Sequence, residues 1–391
     1  MNNRSYFTTP AFVSVALLAL LVTHASFATS QTIQETTDST YLQTTDTYLN
    51  TLRYLHSQKN TYPNHIETPE IVRAIYMSSW VAGTSSLRNN LIQFIDDSNI
   101  NAVVIDIKDS TGVISFPINH PTIEKYGTIE NRISDIDELI KKLHERDIYI
   151  IGRLTAFQDP ALSKKFPRLS FNNSSTNTIW TDRKGLSFIN PQEQEAWEYL
   201  VQIAKESYKI GFDEINFDYI RYPSDGNISA IDYELTGNMS RQSVMKTFYQ
   251  YLDIELRTEK IPISADIFGL VTTAQDDIGI GQIFEDIYQY FDYIAPMVYP
   301  SHYSSGFFGY ANPNAEPYGV VKAAMSQAIV RAKALDQNPN KLRTWIQDFS
   351  IGSPAYGKTE VTAQIKAIND LGIPSYMSWD PKNRYTQEAY K

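Results

Sequence analysis

Apolar residues along this chain recur in two alternating patterns: short dense runs, and longer stretches with an apolar position every third or fourth residue. The dense runs fall at Val72–Met77, Ala102–Ile107, Ile148–Arg153, Phe212–Asp218, Ile261–Asp266, Tyr293–Met297, Leu342–Ile346 and Ile373–Met377. Their length and apolar content read as buried strands. The helical patterns fall at Ser86–Asp97, Ile133–Glu145, Gln192–Ile210, Arg241–Thr258, Gly281–Tyr290, Tyr318–Leu335 and Thr359–Asp370. Strands and helices alternating in this way specify βα units and a parallel sheet. Eight strands with seven helices between them predict an α/β fold, a single-domain (β/α)8 TIM barrel over residues 69–391. The eighth helix is missing or very short, because only Pro381–Lys391 follows the last strand, and an amphipathic patch at Tyr48–Leu55 is the candidate to cover that gap. A doubly wound open sheet is the alternative, but its phosphate fingerprint and any Walker A loop are absent.

Connection lengths choose the working end of such a barrel. Helix-to-strand links are tiny, such as Arg146-Asp147 or Gly211 alone, whereas the strand-to-helix links Leu154–Pro191, Tyr219–Ser240 and Val298–Pro317 are long. Elaboration at the C-terminal ends of the strands predicts the site there, and the link Leu154–Pro191 predicts a lid carrying Trp180 over the mouth. The stretch Gly211–Pro223 stands out because a dense apolar run ends in charge: Ile215 and Phe217 fall on one face, Glu214, Asn216 and Asp218 on the other. A polar row on a central strand is costly unless those groups have partners or a task. By the same alternation Asp106 and Lys108 share a face, as do Ser264 and Asp266. Arg153 ends strand three, Gln347 and Asp348 follow strand seven, and Trp379 ends strand eight.

The remaining features narrow the class. A net charge of −10 gives no basic footprint and argues against nucleic acid as partner. With no cysteine, disulfides, thiolate metal sites and cysteine nucleophiles are excluded. The 26 tyrosines suit sugar or aromatic ligands, although many serve packing. Residues 1–28 read as an export signal, with Arg4, the apolar run Ala11–Val22 and a small-x-small cleavage site at Ser26-Phe27-Ala28; an uncleaved membrane anchor is the alternative. Residues 29–68 read as a polar linker. The expected location is secreted or extracytoplasmic.

Acids on strands four and five at matching depth make Asp218 and Asp266 the catalytic pair. Asp106, Lys108, Arg153, Tyr219, Arg221, Tyr299, His302, Gln347, Asp348 and Trp379 are candidates to bind substrate. Asp109, Asp159 and Asp225 read as loop-ordering acceptors. The stretches Tyr76–Trp80, Val103–Gly112, Phe217–Pro223, Ser264–Gly269 and Pro296–Tyr303 resemble a family of secreted bacterial proteins classed as a glycoside hydrolase domain, long without an assigned function, over roughly Glu70 to Tyr385. By position, the resemblance implies that Asp218 and Asp266 are the acidic pair. The layout also resembles the α-amylase superfamily, with acids after strands four, five and seven, except that strand five carries Asp in place of Glu.

Glycoside cleavage needs one protonated carboxyl and one ionised one. The cations Arg221 and Arg153 favour the ionised form at Asp218, and the apolar neighbours of Asp266 favour the protonated form there. The expected substrate is an extracellular or cell-envelope polysaccharide or oligosaccharide, with association to the cell wall, and neither metal nor cofactor is called for. The rival reading is a non-catalytic secreted barrel that binds carbohydrate or cell wall.

Overall fold

The computed structural model describes residues 65–233 and 239–391; the export signal, the linker to residue 64 and the patch Tyr48–Leu55 lie outside them. Eight parallel strands close on themselves: β1 (Arg73–Met77), β2 (Ala102–Lys108), β3 (Tyr149–Thr155), β4 (Glu214–Asp218), β5 (Ile263–Phe268), β6 (Tyr293–Met297), β7 (Thr344–Gln347) and β8 (Tyr376–Trp379). Each pairs with its neighbours in chain order, and β1 pairs with both β2 and β8, so no edge is left open. Seven helices follow strands one to seven: α1 (Ser85–Asp96), α2 (Ile136–His144), α3 (Gln194–Ile210), α4 (Arg241–Arg257), α5 (Phe284–Tyr290), α6 (Pro317–Ala334) and α7 (Lys358–Asp370). This is the (β/α)8 barrel read from the pattern, with element ends within a few residues of expectation.

Alternation along each strand sorts side chains between two cores. Ile75, Ile105, Ile150, Ile215, Phe217 and Ile267 face the helices, while Ala74, Val104, Ile151, Ala295, Trp345 and Met377 fill the barrel. On β4 the polar row does point inward, and each member has a partner. Glu214 at the floor accepts from Arg343 at 2.6 Å and from the Tyr149 hydroxyl at 3.0 Å, which compensates a carboxylate with no solvent exposure. The strand is set in place by a one-residue turn: α3 ends at Gly211, whose φ of 125° disfavours any side chain and whose added Cβ would lie 2.8 Å from Ile140 Cγ2. The next strand entry is pinned by Asp213, which accepts from the backbone N–H groups of Ile66 and Ile150, both at 2.8 Å. Residues 65–68, at the end of the stretch read as linker, thus dock on the N-terminal end of the barrel, where Thr68 Oγ1 also meets the Tyr149 hydroxyl at 2.8 Å.

After β8 there is no full eighth helix among the described residues. A short turn at Gln387–Ala389 takes its place, and Tyr390 is buried against Phe94 of α1.

Alternation fails at one candidate. The register of β2 against β3 shifts between Asp106 and Lys108, so that Lys108 pairs with the helix-facing Leu154. This bulge turns Lys108 away from the barrel axis. Its Nζ bonds the Thr155 carbonyl at 2.6 Å and Asp159 at 2.8 Å, fully buried outside the mouth.

Candidate active site

The barrel mouth holds a cavity of about 400 Å³ whose lining includes Arg153, Asp218, Tyr219, Arg221, Asp266, Tyr299, His302 and Trp379. It lies at the C-terminal ends of the strands, where the long connections cluster. The register Asn216↔Ser264 and Phe217↔Ala265 makes Asp218 and Asp266 the next positions on adjacent strands, whose backbones run about 5 Å apart.

Asp218 is buried and receives only donors. Its Oδ2 accepts from Arg153 Nη2 at 2.5 Å and Nε at 3.0 Å, and its Oδ1 from the Tyr219 N–H at 2.6 Å. That last bond belongs to a sharp exit from the strand, with Tyr219 at φ 52°, a left-handed conformation that a tyrosine adopts only under constraint. Arg153 also donates to Asp106 at 2.8 Å, and Asp106 accepts from the Tyr76 hydroxyl at 2.6 Å. Burial acts against the Arg153 cation, yet Asp218 and Asp106 hold its pKa well above the ordinary value. Asp106 therefore anchors Arg153 from below and does not itself line the cavity.

Asp266 is held differently. Its Oδ1 accepts from Trp345 Nε1 at 2.7 Å and Asn216 Nδ2 at 3.0 Å; among the described residues its Oδ2 has no partner. Burial, and next the charge of Asp218, push its pKa well above the usual carboxylate range, and the two hydrogen bonds only partly offset this. Tyr299, also raised first by burial and then by the two aspartates, lines the same wall. His302 is lowered by burial. Trp379 stacks on Tyr76 at 4.1 Å and lies under the Arg153 guanidinium at 5.2 Å.

Of the twelve site residues expected from the sequence, eight meet at the cavity and four do not. Besides Asp106 and Lys108, Gln347 is buried and orders loops, accepting from Ser301 N at 3.1 Å and donating to the Phe349 carbonyl at 2.8 Å. Asp348 faces the C-terminal segment, with Thr386 and Tyr390 as donors. Asn216 and Trp345, the two groups that hold Asp266, were not among the candidates. Alternation offered them: Asn216 shares a face with Asp218, and Trp345 with Gln347. Trp180, expected on a lid over the mouth, is buried within the connection Leu154–Pro191, donating to the Asn227 carbonyl at 2.9 Å, and no residue of that connection lines the cavity. Asp159 caps a short helix through Leu162 N at 2.7 Å, as the loop-ordering reading expected.

Comparison with known proteins places this geometry. Over residues 74–385 the sequence matches the family model described as "Putative glycosyl hydrolase domain". Among solved structures, the chain is similar to the PgaB (BpsB) glycoside hydrolase domain of Bordetella bronchiseptica, 16% identical with a TM-score of 0.58, covering 82% of this chain and 97% of that one. It is also similar to a class V chitinase of Pseudomonas fluorescens Pf-5, 13% identical with a TM-score of 0.51, covering 82% and 98%. At these identities the likeness is one of fold. A stretch of 94 residues is 30% identical to UDP-N-acetylenolpyruvoylglucosamine reductase of Rickettsia prowazekii, covering 24% of this chain and 32% of that protein, so the chain spans about a third of that relative's length. With the model covering most of the chain, on a barrel that carries two acids at its mouth, the protein belongs to this family of glycosyl hydrolase domains.

Proposed function

We propose that the protein hydrolyses glycosidic bonds in an extracellular or cell-envelope polysaccharide, with Asp266 as general acid and Asp218 as its ionised partner. The observation that carries this reading is the contrast between two neighbouring carboxyls. Asp266 is driven towards its protonated form by burial and by Asp218, whereas every hydrogen bond to Asp218 is donated to it. A carboxyl biased towards its protonated form beside one that only receives donors supports the pairing of a proton donor with its counterpart.

In the proposed reaction the Asp266 proton passes to the leaving glycosidic oxygen. Oδ2, free of partners among the described residues, is the atom that presents it, since Trp345 and Asn216 occupy Oδ1. Asp218 either attacks the anomeric carbon or takes a proton from the attacking water, its orientation fixed by Arg153. The anomer first released, read by NMR, separates these two courses. The export pattern at residues 1–28 puts the reaction outside the cytoplasm, and the mature protein should begin near Thr29; an exported product whose sequenced N-terminus is Met1 would contradict this.

The test is a glycan screen that scores reducing ends released and binding separately, repeated with Asp218→Asn and Asp266→Asn. Each variant keeps size and fold, and each should lose at least ~10²-fold in turnover, the lower range of what a general acid or base contributes. Undiminished turnover in a folded Asp266→Asn protein would refute the assignment. Binding without release by the wild type would favour the non-catalytic barrel.

A further inference from the structure

The mouth contains two arginines, and only one of them is used. Arg153 is saturated by Asp106 and Asp218. Arg221, three positions beyond Asp218, is 7% exposed and lines the cavity, yet among the described residues it has no carboxylate within ion-pair distance. Its one hydrogen bond to the described residues runs from Nη1 to the Tyr222 carbonyl at 2.9 Å. Among the described residues Nε and Nη2 have no acceptor.

A buried cation without a counter-ion is costly, and burial does pull the pKa of Arg221 down, against the opposing charges of Tyr219, Asp218, Asp182 and Asp225. The surroundings fix the orientation of its plane. The Tyr219 and Phe268 rings lie 4.7 and 4.6 Å from the guanidinium. Aromatic faces of this kind hold a guanidinium by its plane and leave its edge N–H groups for a planar, two-oxygen acceptor. The acids nearby do not supply that acceptor: Asp218 is shared with Arg153, and Asp266 is driven towards its neutral form.

We infer that the substrate itself supplies the missing anion: a carboxylate-bearing sugar, a uronic acid or a lactyl ether, seated beside the scissile bond with its carboxylate on the edge of Arg221. This rests on the glycoside hydrolase reading and names its substrate class. The acid group would dock through two parallel N–H···O bonds, so both charge and fork geometry matter.

The experiment compares kcat/KM for oligogalacturonate, a lactyl-bearing muramyl oligosaccharide and the carboxyl-reduced neutral form of each. Wild type should favour one acidic oligosaccharide over its neutral form by at least ~10-fold, with the difference in KM, and whichever acid wins identifies the source. Arg221→Gln should collapse that ratio to near one; Arg221→Lys, which keeps the charge without the fork, should retain only part of it. Equal rates on acidic and neutral forms, or a ratio unchanged in Arg221→Gln, would overturn the inference. Should Arg221→Gln fail to fold, wild type alone decides: by calorimetry either galacturonate over galactose or N-acetylmuramic acid over N-acetylglucosamine must bind at least ~10-fold more tightly, and preference in neither pair would overturn the inference. That binding assay also separates the two readings. Acid-selective binding without any cleavage keeps the anion site and removes the hydrolase; cleavage without acid selectivity does the reverse.

Discussion

In the proposed reaction, Asp266 places function and stability in opposition at a single residue. Burial and the charge of Asp218 raise its carboxyl pKa in the folded protein above the ~3.9 at which the unfolded chain releases the proton. Between those two values the native state binds more protons than the unfolded one, so stability falls as pH rises through the window and its contribution is gone above the folded pKa. Asp266→Asn removes the ionisation while Asn Oδ1 can still accept from Trp345 and Asn216. The variant should therefore melt higher than wild type, by a margin that is small at pH 4 and larger at pH 8. Thermal melts at the two pH values check this, and an equal margin at both would contradict it. Activity should follow the same proton and decline on the alkaline side. His302, whose pKa burial lowers, is neutral throughout that limb, so His302→Asn should leave its position in place. The acidic pair was legible in the sequence because both residues end strands at matching depth. The raised pKa of Asp266 was legible only in part, because Asn216 and Trp345 reach it from other strands.

At the scale of elements, strict alternation was a sufficient guide for β4 and β5 and an insufficient one for β2. A bulge needs no particular residue, so nothing in Ile105-Asp106-Ile107-Lys108 announces the register shift that turns Lys108 outward. What the bulge provides is an anchor for the connection Leu154–Pro191. Lys108 pairs with Asp159, both fully buried, and Asp159 in turn caps the helix Pro160–Lys165 within that connection. Lys108→Met should therefore cost about 3–5 kcal/mol, the usual penalty for stranding one partner of a buried ion pair. Adding Asp159→Asn should recover most of that loss, because Asn is neutral and still caps the helix. Urea unfolding of the two variants measures both, and a loss below about 1 kcal/mol in Lys108→Met would mean that the pair is not what holds that helix.

At the scale of the whole molecule, the barrel was legible because eight dense runs and seven amphipathic ones leave few other ways to bury their apolar faces. What could not be read was how a barrel with seven outer helices seals the seam between α7 and α1. Among the described residues the chain's last turn lies there, and it does so through aromatic and polar contacts that have no period. Tyr390 packs on Phe94, and its hydroxyl reaches Ser378 at 2.5 Å and Asp348 at 2.9 Å. Tyr385 donates to the Tyr76 carbonyl at 2.5 Å, and the Tyr76 hydroxyl supports Asp106, the residue that anchors Arg153. The segment thus joins the outer seam to the base of the acidic pair, which explains why Asp348 serves the fold although it follows a strand at the C-terminal end of the barrel. Removing residues 385–391 would expose Phe94 and leave Asp348, whose pKa burial already raises, without Thr386 or Tyr390 as donors. A core exposure and a stranded buried acid together exceed ~4 kcal/mol, beyond what ordinary substitutions cost. Tyr390→Phe, which removes only the hydroxyl, should cost about 1–3 kcal/mol, because it leaves buried acceptors short of a donor. Guanidinium unfolding followed by tryptophan fluorescence should rank wild type, Tyr390→Phe and the truncation in that order. A truncated protein with the wild-type midpoint would show that the terminal turn lies on the barrel without closing it.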